Sequence, residues 1–151
     1  MSSLSAPAIL YVEDDPDDRL LAEMAHRDSG VVNPLVFVGD GDEALEYLRG
    51  TGRHADRIGE PQPGIILLDL NLPGKDGRAI LGIVKTDPAL RRIPVVILTT
   101  SSAQRDIATS YDAGANSYIV KPAGFASLVD LFERLSAYWF EIGSLAREGA
   151  P

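Results

Sequence analysis

AILYVEDDPDD, residues 8–18, runs from a short apolar segment into a turn that packs five carboxylates into the eight residues from Tyr11 to Asp18. The apolar half is β-rich and bounded by acids, so it reads as a buried strand near residues 8–13. Pro16 suits the first position of a helix, where its missing N–H costs nothing. Asp15 is then the natural N-cap, worth about 1 kcal/mol, and Asp17 and Asp18 fall in the first turn, at the positive end of the helix dipole. Glu13 and Asp14 are left on the strand side. The pattern repeats along the chain: LVFV, GIILL, PVVIL and SYIV predict strands near 34–38, 64–69, 94–99 and 117–121. Helical spacing predicts helices over 16–28, 41–48, 77–85, 103–113 and from about 124 to 142. Strict alternation of five strands and five helices predicts an α/β fold, a parallel sheet covered on both faces. The only long irregular piece, GTGRHADRIGEPQPG at 50–64, reads as ordinary loop growth.

With 151 residues the chain fits one domain. A formal net charge of −8 argues against nucleic acid, whose binders need clustered Lys and Arg, and against anionic lipid. There is no cysteine, no basic leader and no apolar run near the roughly 18 residues of a membrane span. The expectation is a cytoplasmic protein with no nucleic-acid or membrane partner.

In open parallel sheets, ligands bind beyond the carboxyl ends of the strands. Those ends carry Glu13-Asp14, Asp69 in LLDLNLPGKDG, Thr99 in VVILTTSS and Lys121 in YIVKP. Taken singly, an acid at a strand end is ordinarily a turn or a cap, and a Thr there is ordinary β-propensity. Complementary groups on four strand ends at one rim outweigh those readings. Carboxylates ~5 Å apart repel by about 3 kcal/mol per pair at an effective dielectric near 20, more than Lys121 alone neutralises. A proton or a cation has to join them. Oxygen ligands without His or Cys select Mg²⁺ or a similar hard ion, and the backbone carbonyl of Asn71 would add a ligand to Glu13, Asp14 and Asp69. A metal beside a carboxylate, with a hydroxyl and a lysine opposite, suits phosphoryl transfer to Asp69.

VEDD, LLDLNLPGKDG, LTTS and YIVKP together resemble a response-regulator receiver domain over roughly residues 8–140, between an N-terminal segment 1–7, expected to be disordered or extended, and a C-terminal extension 141–151. The resemblance implies a doubly wound, flavodoxin-like sheet of order 2-1-3-4-5. It implies Glu13 and Asp14 as the metal-binding acids, Asp69 as phosphoacceptor, and Asn71 as the carbonyl ligand. Thr99 would be the switch hydroxyl, Tyr118 the aromatic that follows it, and Lys121 the phosphate-binding lysine. The Lys121-Pro122 bond is similar to one that is cis in the family. Two positions depart from the usual pattern. Thr100 replaces a very small residue, which narrows access to the site. Glu13 replaces an aspartate, and its extra methylene suits metal contact through water.

No output domain follows the last helix, so a single-domain regulator acting through protein contacts is expected. Leu128, Leu131, Phe132, Leu135, Tyr138, Trp139 and Ile142 form one apolar stripe. Val129 and Phe140 share a second face, a surplus that suggests a partner surface. RLSAYWFEIGSL, residues 134–145, is similar to the C-terminal extension of receivers paired with bacterial phytochromes. That resemblance implies a phytochrome-type sensor histidine kinase as phosphodonor and a homodimer through the last helix and its extension. The apolar surplus offers Val129, Tyr138, Trp139 and Phe140 as the contacts, with plain C-terminal core packing the equal alternative for the Tyr138-Trp139-Phe140 cluster. Two other readings compete. Asp69-Leu70-Asn71 also resembles the nucleophile motif of aspartate-dependent phosphatases, although Asn71 stands where those enzymes place a general acid. A degenerate receiver used only for binding is opposed by the intact acid, Thr and Lys set.

Overall fold

The structure, a computed structural model, describes residues 6–74 and 76–142. Five strands, β1 (Ile9–Val12), β2 (Leu35–Val38), β3 (Ile65–Leu68), β4 (Val95–Thr99) and β5 (Ser117–Val120), alternate with α1 (Pro16–Ser29), α2 (Gly41–Arg49), α3 (Gly77–Thr86), α4 (Gln104–Asp112) and α5 (Phe125–Ser136). The strands pair in parallel in the order β2-β1-β3-β4-β5, as the resemblance implied. Successive residues of a strand point to opposite faces, and here each face has its own cover. Leu10, Val12, Ile66, Leu68, Val95 and Ile97 pack with Leu45 and Leu48 of α2 and Ile80, Leu81 and Val84 of α3. Ile9, Tyr11, Ile65, Leu67, Val96 and Leu98 pack with Ala22 and Ala25 of α1 and Leu128, Phe132 and Leu135 of α5. This two-sided burial is why the strands read as unbroken apolar runs.

The capping chemistry of the opening stretch is present. Asp15 accepts from the Asp17 N–H at 2.8 Å and from the Asp18 N–H at 3.4 Å, with Pro16 at the start of α1. Gly30, at φ 73°, ends the helix.

Two segments differ from expectation. The 50–64 connection is tied down rather than plain loop: Gly52–Arg57 forms a 3₁₀ turn. The Arg57 guanidinium lies 3.6 Å from the Tyr47 ring centre and donates to the Tyr47 and Pro61 carbonyls, and Gln62 donates to the Leu48 carbonyl at 2.6 Å. The last helix is regular only to Ser136, and Ala137–Ile142 is a π turn. A π turn takes more residues per revolution than an α-helix, so the 3.6-residue phase slips. Tyr138, expected on the core stripe, is 56% exposed. Phe140 turns in over Gly64, where an added Cβ would stand 3.1 Å from its Cζ, and packs against the core. Past Ile142 the extension expected over 141–151 lies outside the described residues, as do residues 1–5 of the N-terminal segment.

Candidate functional site

The carboxyl ends of β1, β3, β4 and β5 form one rim, where Glu13 and Asp69 meet on the Lys121 ammonium and Thr99 bonds Asp69. Backbone pairing sets their height: Thr99 lies beside Val120 in the register, and the Lys121 N–H donates to the Thr99 carbonyl at 2.7 Å. Glu13 continues β1 by donating its N–H to the Val38 carbonyl at 3.0 Å. Its side chain is buried, with one oxygen accepting from the Asp15 N–H at 3.1 Å and the other from Lys121 Nζ at 2.5 Å. Arg19 donates through Nε to the Glu13 carbonyl at 2.6 Å while lying over the Phe37 ring, so α1 is fastened to the end of β1.

Asp69 is buried with both oxygens engaged. Oδ1 accepts from the Thr99 hydroxyl at 3.1 Å and the Asn71 N–H at 3.0 Å, and Oδ2 accepts from Lys121 Nζ at 2.8 Å. The start of α3 presses on this turn. The Gly77 N–H donates to the Leu70 carbonyl at 3.2 Å, and a Cβ at Gly77 would strike the Asp69 carbonyl and lie 2.8 Å from Leu70 Cα.

A third carboxylate, unanticipated from the sequence, completes the set: Asp18 Oδ2 accepts from Lys121 Nζ at 3.1 Å. Its signal was helical phase. Asp18 sits four residues before the buried Ala22 and so falls on the stripe of α1 that faces the sheet. Burial alone would lower the Lys121 ammonium, but the bonds to Asp69 and Glu13 outweigh it and hold the group above its ordinary value. Burial raises Glu13 against the pull of Lys121, and burial likewise raises the phenol of Tyr11 beneath them.

Of the expected metal ligands, Glu13 and Asp69 are brought together through Lys121, Asn71 lies beside Asp69, and Asp14 stands exposed at the rim. Among the described residues no three His, Cys, Asp or Glu side chains already converge to hold a metal ion, and Lys121 bonds one oxygen each of Glu13, Asp18 and Asp69. The donor set still fits a hard divalent cation. It is all oxygen, and one ammonium against three carboxylates leaves two negative charges uncompensated. Tyr118 is half-buried and donates its hydroxyl to the Ser101 carbonyl at 2.9 Å, two residues beyond Thr99. Ser101 in turn donates to Asp106 at 2.7 Å, which Arg78 grips at 2.7 Å. Thr100 is exposed. The Lys121-Pro122 bond is trans, like every peptide bond of the described residues, where the resemblance implied cis. The two forms of an X–Pro bond differ by only about 0.5–1 kcal/mol, so the local sequence does not dictate the isomer.

A 2-1-3-4-5 parallel sheet carrying an acid, a hydroxyl and an ammonium at its carboxyl rim defines a flavodoxin-like signalling domain. Residues 9–133 match the model of the response regulator receiver domain. The chain is 37% identical over 147 residues to response regulator Rcp1 of Synechocystis, covering 96% of this chain and 98% of that protein. The phosphorylated cyanobacterial phytochrome response regulator RcpA superposes with a TM-score of 0.83 at 42% identity, over 93% of this chain and 98% of that one. A Mn²⁺-bound form of Rcp1 gives 0.80 at 36%, over 93% and 99%, and the bacteriophytochrome response regulator AtBRR gives 0.75 at 38%, over 95% and 99%. The chain belongs to the response regulator receiver domain family. It is a receiver related to the phytochrome response regulators, a signalling protein, and the phosphatase and binding-only readings are not favoured. No helix among the described residues is long and apolar enough to cross a membrane.

Proposed function

We propose that Asp69 is the phosphoacceptor of a two-component relay, with a phytochrome-type sensor histidine kinase as donor. The observation that carries this reading is the seating of Asp69: buried at the rim, with Oδ2 on Lys121 and Oδ1 on the Thr99 hydroxyl. A carboxylate oxygen of Asp69 attacks the phosphorus of the kinase phosphohistidine. The new O–P bond forms as the P–N bond breaks, and its electron pair leaves with the imidazole nitrogen. Lys121 neutralises charge on the transferred group, and Thr99 gives its hydroxyl to one of the phosphoryl oxygens. Glu13, Asp14, Asp69 and the Asn71 carbonyl would hold Mg²⁺, which supplies positive charge to the phosphoryl oxygens when bound. Movement of Thr99 is passed to Tyr118 through the Ser101 segment between β4 and α4, and that face is read by a protein partner. The receiver acts in the cytoplasm as a homodimer through α5, the π turn and the extension, and contacts neither nucleic acid nor membrane.

Phosphorylation with acetyl phosphate tests the acceptor. Mass spectrometry is expected to find one phosphoryl group on the wild type with Mg²⁺, none after chelation and none on Asp69→Asn. Equal labelling of both proteins would remove Asp69 from the role.

A further inference from the structure

Resting on the acceptor reading above, we propose that Asp18 is a positioning residue: its carboxylate holds the Lys121 ammonium toward α1 and opposes the arrival of an anionic group on Asp69. An ammonium has three N–H donors and no acceptor. Here all three are spoken for, by Glu13 at 2.5 Å, Asp69 at 2.8 Å and Asp18 at 3.1 Å. Glu13 and Asp69 are buried and come from the sheet, whereas Asp18 comes from α1, with its side chain 43% exposed. Asp18 is therefore the acceptor that water can replace most readily. A small cavity between Asp18, Leu21, Tyr11 and Pro122 flanks the lysine stem, so the stem has room to follow whichever acceptor wins.

The charge count gives the direction. Transfer of a phosphoryl group turns the singly charged Asp69 carboxylate into an acyl phosphate bearing up to two negative charges. Asp18 then stands as a like charge sharing the same lysine. Replacing it by a neutral side chain weakens the hold on that N–H, so the incoming group competes for it more readily, and removes one repulsion. Asp18 thus sets how much anionic donor the site needs before it is occupied. Asp17 makes the ideal comparison: it lies one residue earlier in the same turn, carries the same charge, is exposed, and does not touch Lys121.

The test is a beryllofluoride titration at saturating Mg²⁺, followed by ¹⁹F NMR, on wild type, Asp18→Asn, Asp18→Glu and Asp17→Asn. Because Asp18 is partly solvated, the expected gain is modest: Asp18→Asn half-saturates at about threefold to tenfold less beryllofluoride. Asp18→Glu returns toward wild type, and Asp17→Asn stays within about twofold of it. The ¹⁵N signal of the Lys121 ammonium supplies a readout independent of occupancy. Its protons exchange with water faster in Asp18→Asn than in wild type or Asp17→Asn. Equal or weaker beryllofluoride binding by Asp18→Asn, or the same shift in Asp17→Asn, overturns the inference and leaves the acceptor reading intact. A wild type that takes no beryllofluoride overturns both.

Discussion

Lys121 bridges three acids from different parts of the chain, and its removal leaves two of them buried without a cation. Losing one partner of a buried pair costs about 3–5 kcal/mol. Water reaches this rim through Asp18, so Lys121→Met is expected to lose about 2–3 kcal/mol of stability at neutral pH. Urea denaturation measures it, and Mg²⁺ is expected to restore part of the loss by binding only the folded site. The pH course follows from the raised lysine. A base held above its ordinary value of 10.5 stabilises fully below that value, and the contribution is lost as pH climbs through the higher folded value. The difference between wild type and variant should therefore shrink above the ordinary lysine range. It should shrink on the acid side too, where Glu13, raised by burial and no longer pulled down by Lys121, takes up a proton in the variant. A gap that persists undiminished well above the ordinary lysine range would place the effect elsewhere. At this scale Asp69, Thr99 and Lys121 were legible because each closes an apolar run, and strand ends share a rim in a parallel sheet. Asp18 was not, because its role depends on which way the first turn of α1 faces, and the dipole explanation already accounted for an acid there.

The contact between α3 and the end of β3 shows how an element positions a functional side chain without touching the chemistry. Gly77 opens α3 directly under the Asp69–Leu70 backbone. Alanine is the better helix former by about 1 kcal/mol, yet its Cβ would meet backbone atoms, which cannot swing aside. Overpacking of this kind costs about 1–3 kcal/mol, so Gly77→Ala is expected to be destabilising on balance and to slow acetyl phosphate labelling of Asp69. Equal thermal midpoints and equal labelling rates would show that the turn accommodates the methyl group. Element types and order were legible from periodicity alone, with boundaries agreeing to within one or two residues. The exceptions have physical causes. The 50–64 connection is organised by Arg57 stacking on Tyr47 and Gln62 reaching Leu48, contacts between distant residues that no local pattern encodes. The π turn is invisible to a 3.6-residue template, and it inverts the expected roles of Tyr138 and Phe140.

That inversion changes how the whole molecule would pair with a second copy. Of the four residues proposed as dimer contacts, Val129, Trp139 and Phe140 already pack in part against the α1–α5 side of the core. Their apolar surface is therefore partly spent within the protomer, and truncating them would damage the fold and the interface together. Tyr138 is different: it is 56% exposed and braced edge-on by Trp139 at 4.9 Å between ring centres. A rigid aromatic held outward with an apolar body and a polar tip is the kind of side chain that anchors interfaces. Tyr138→Ala should therefore separate the two effects. Monomer stability is expected to change by no more than about 0.5 kcal/mol, as for an exposed site. In a symmetric dimer the substitution removes two aromatic anchors, about 2 kcal/mol each, and would weaken the dimer roughly a thousandfold. Sedimentation across a micromolar concentration series reads both states directly. A wild type that sediments as a monomer throughout, or a variant that dimerises as tightly as wild type, would take Tyr138 and the α5 end out of the assembly.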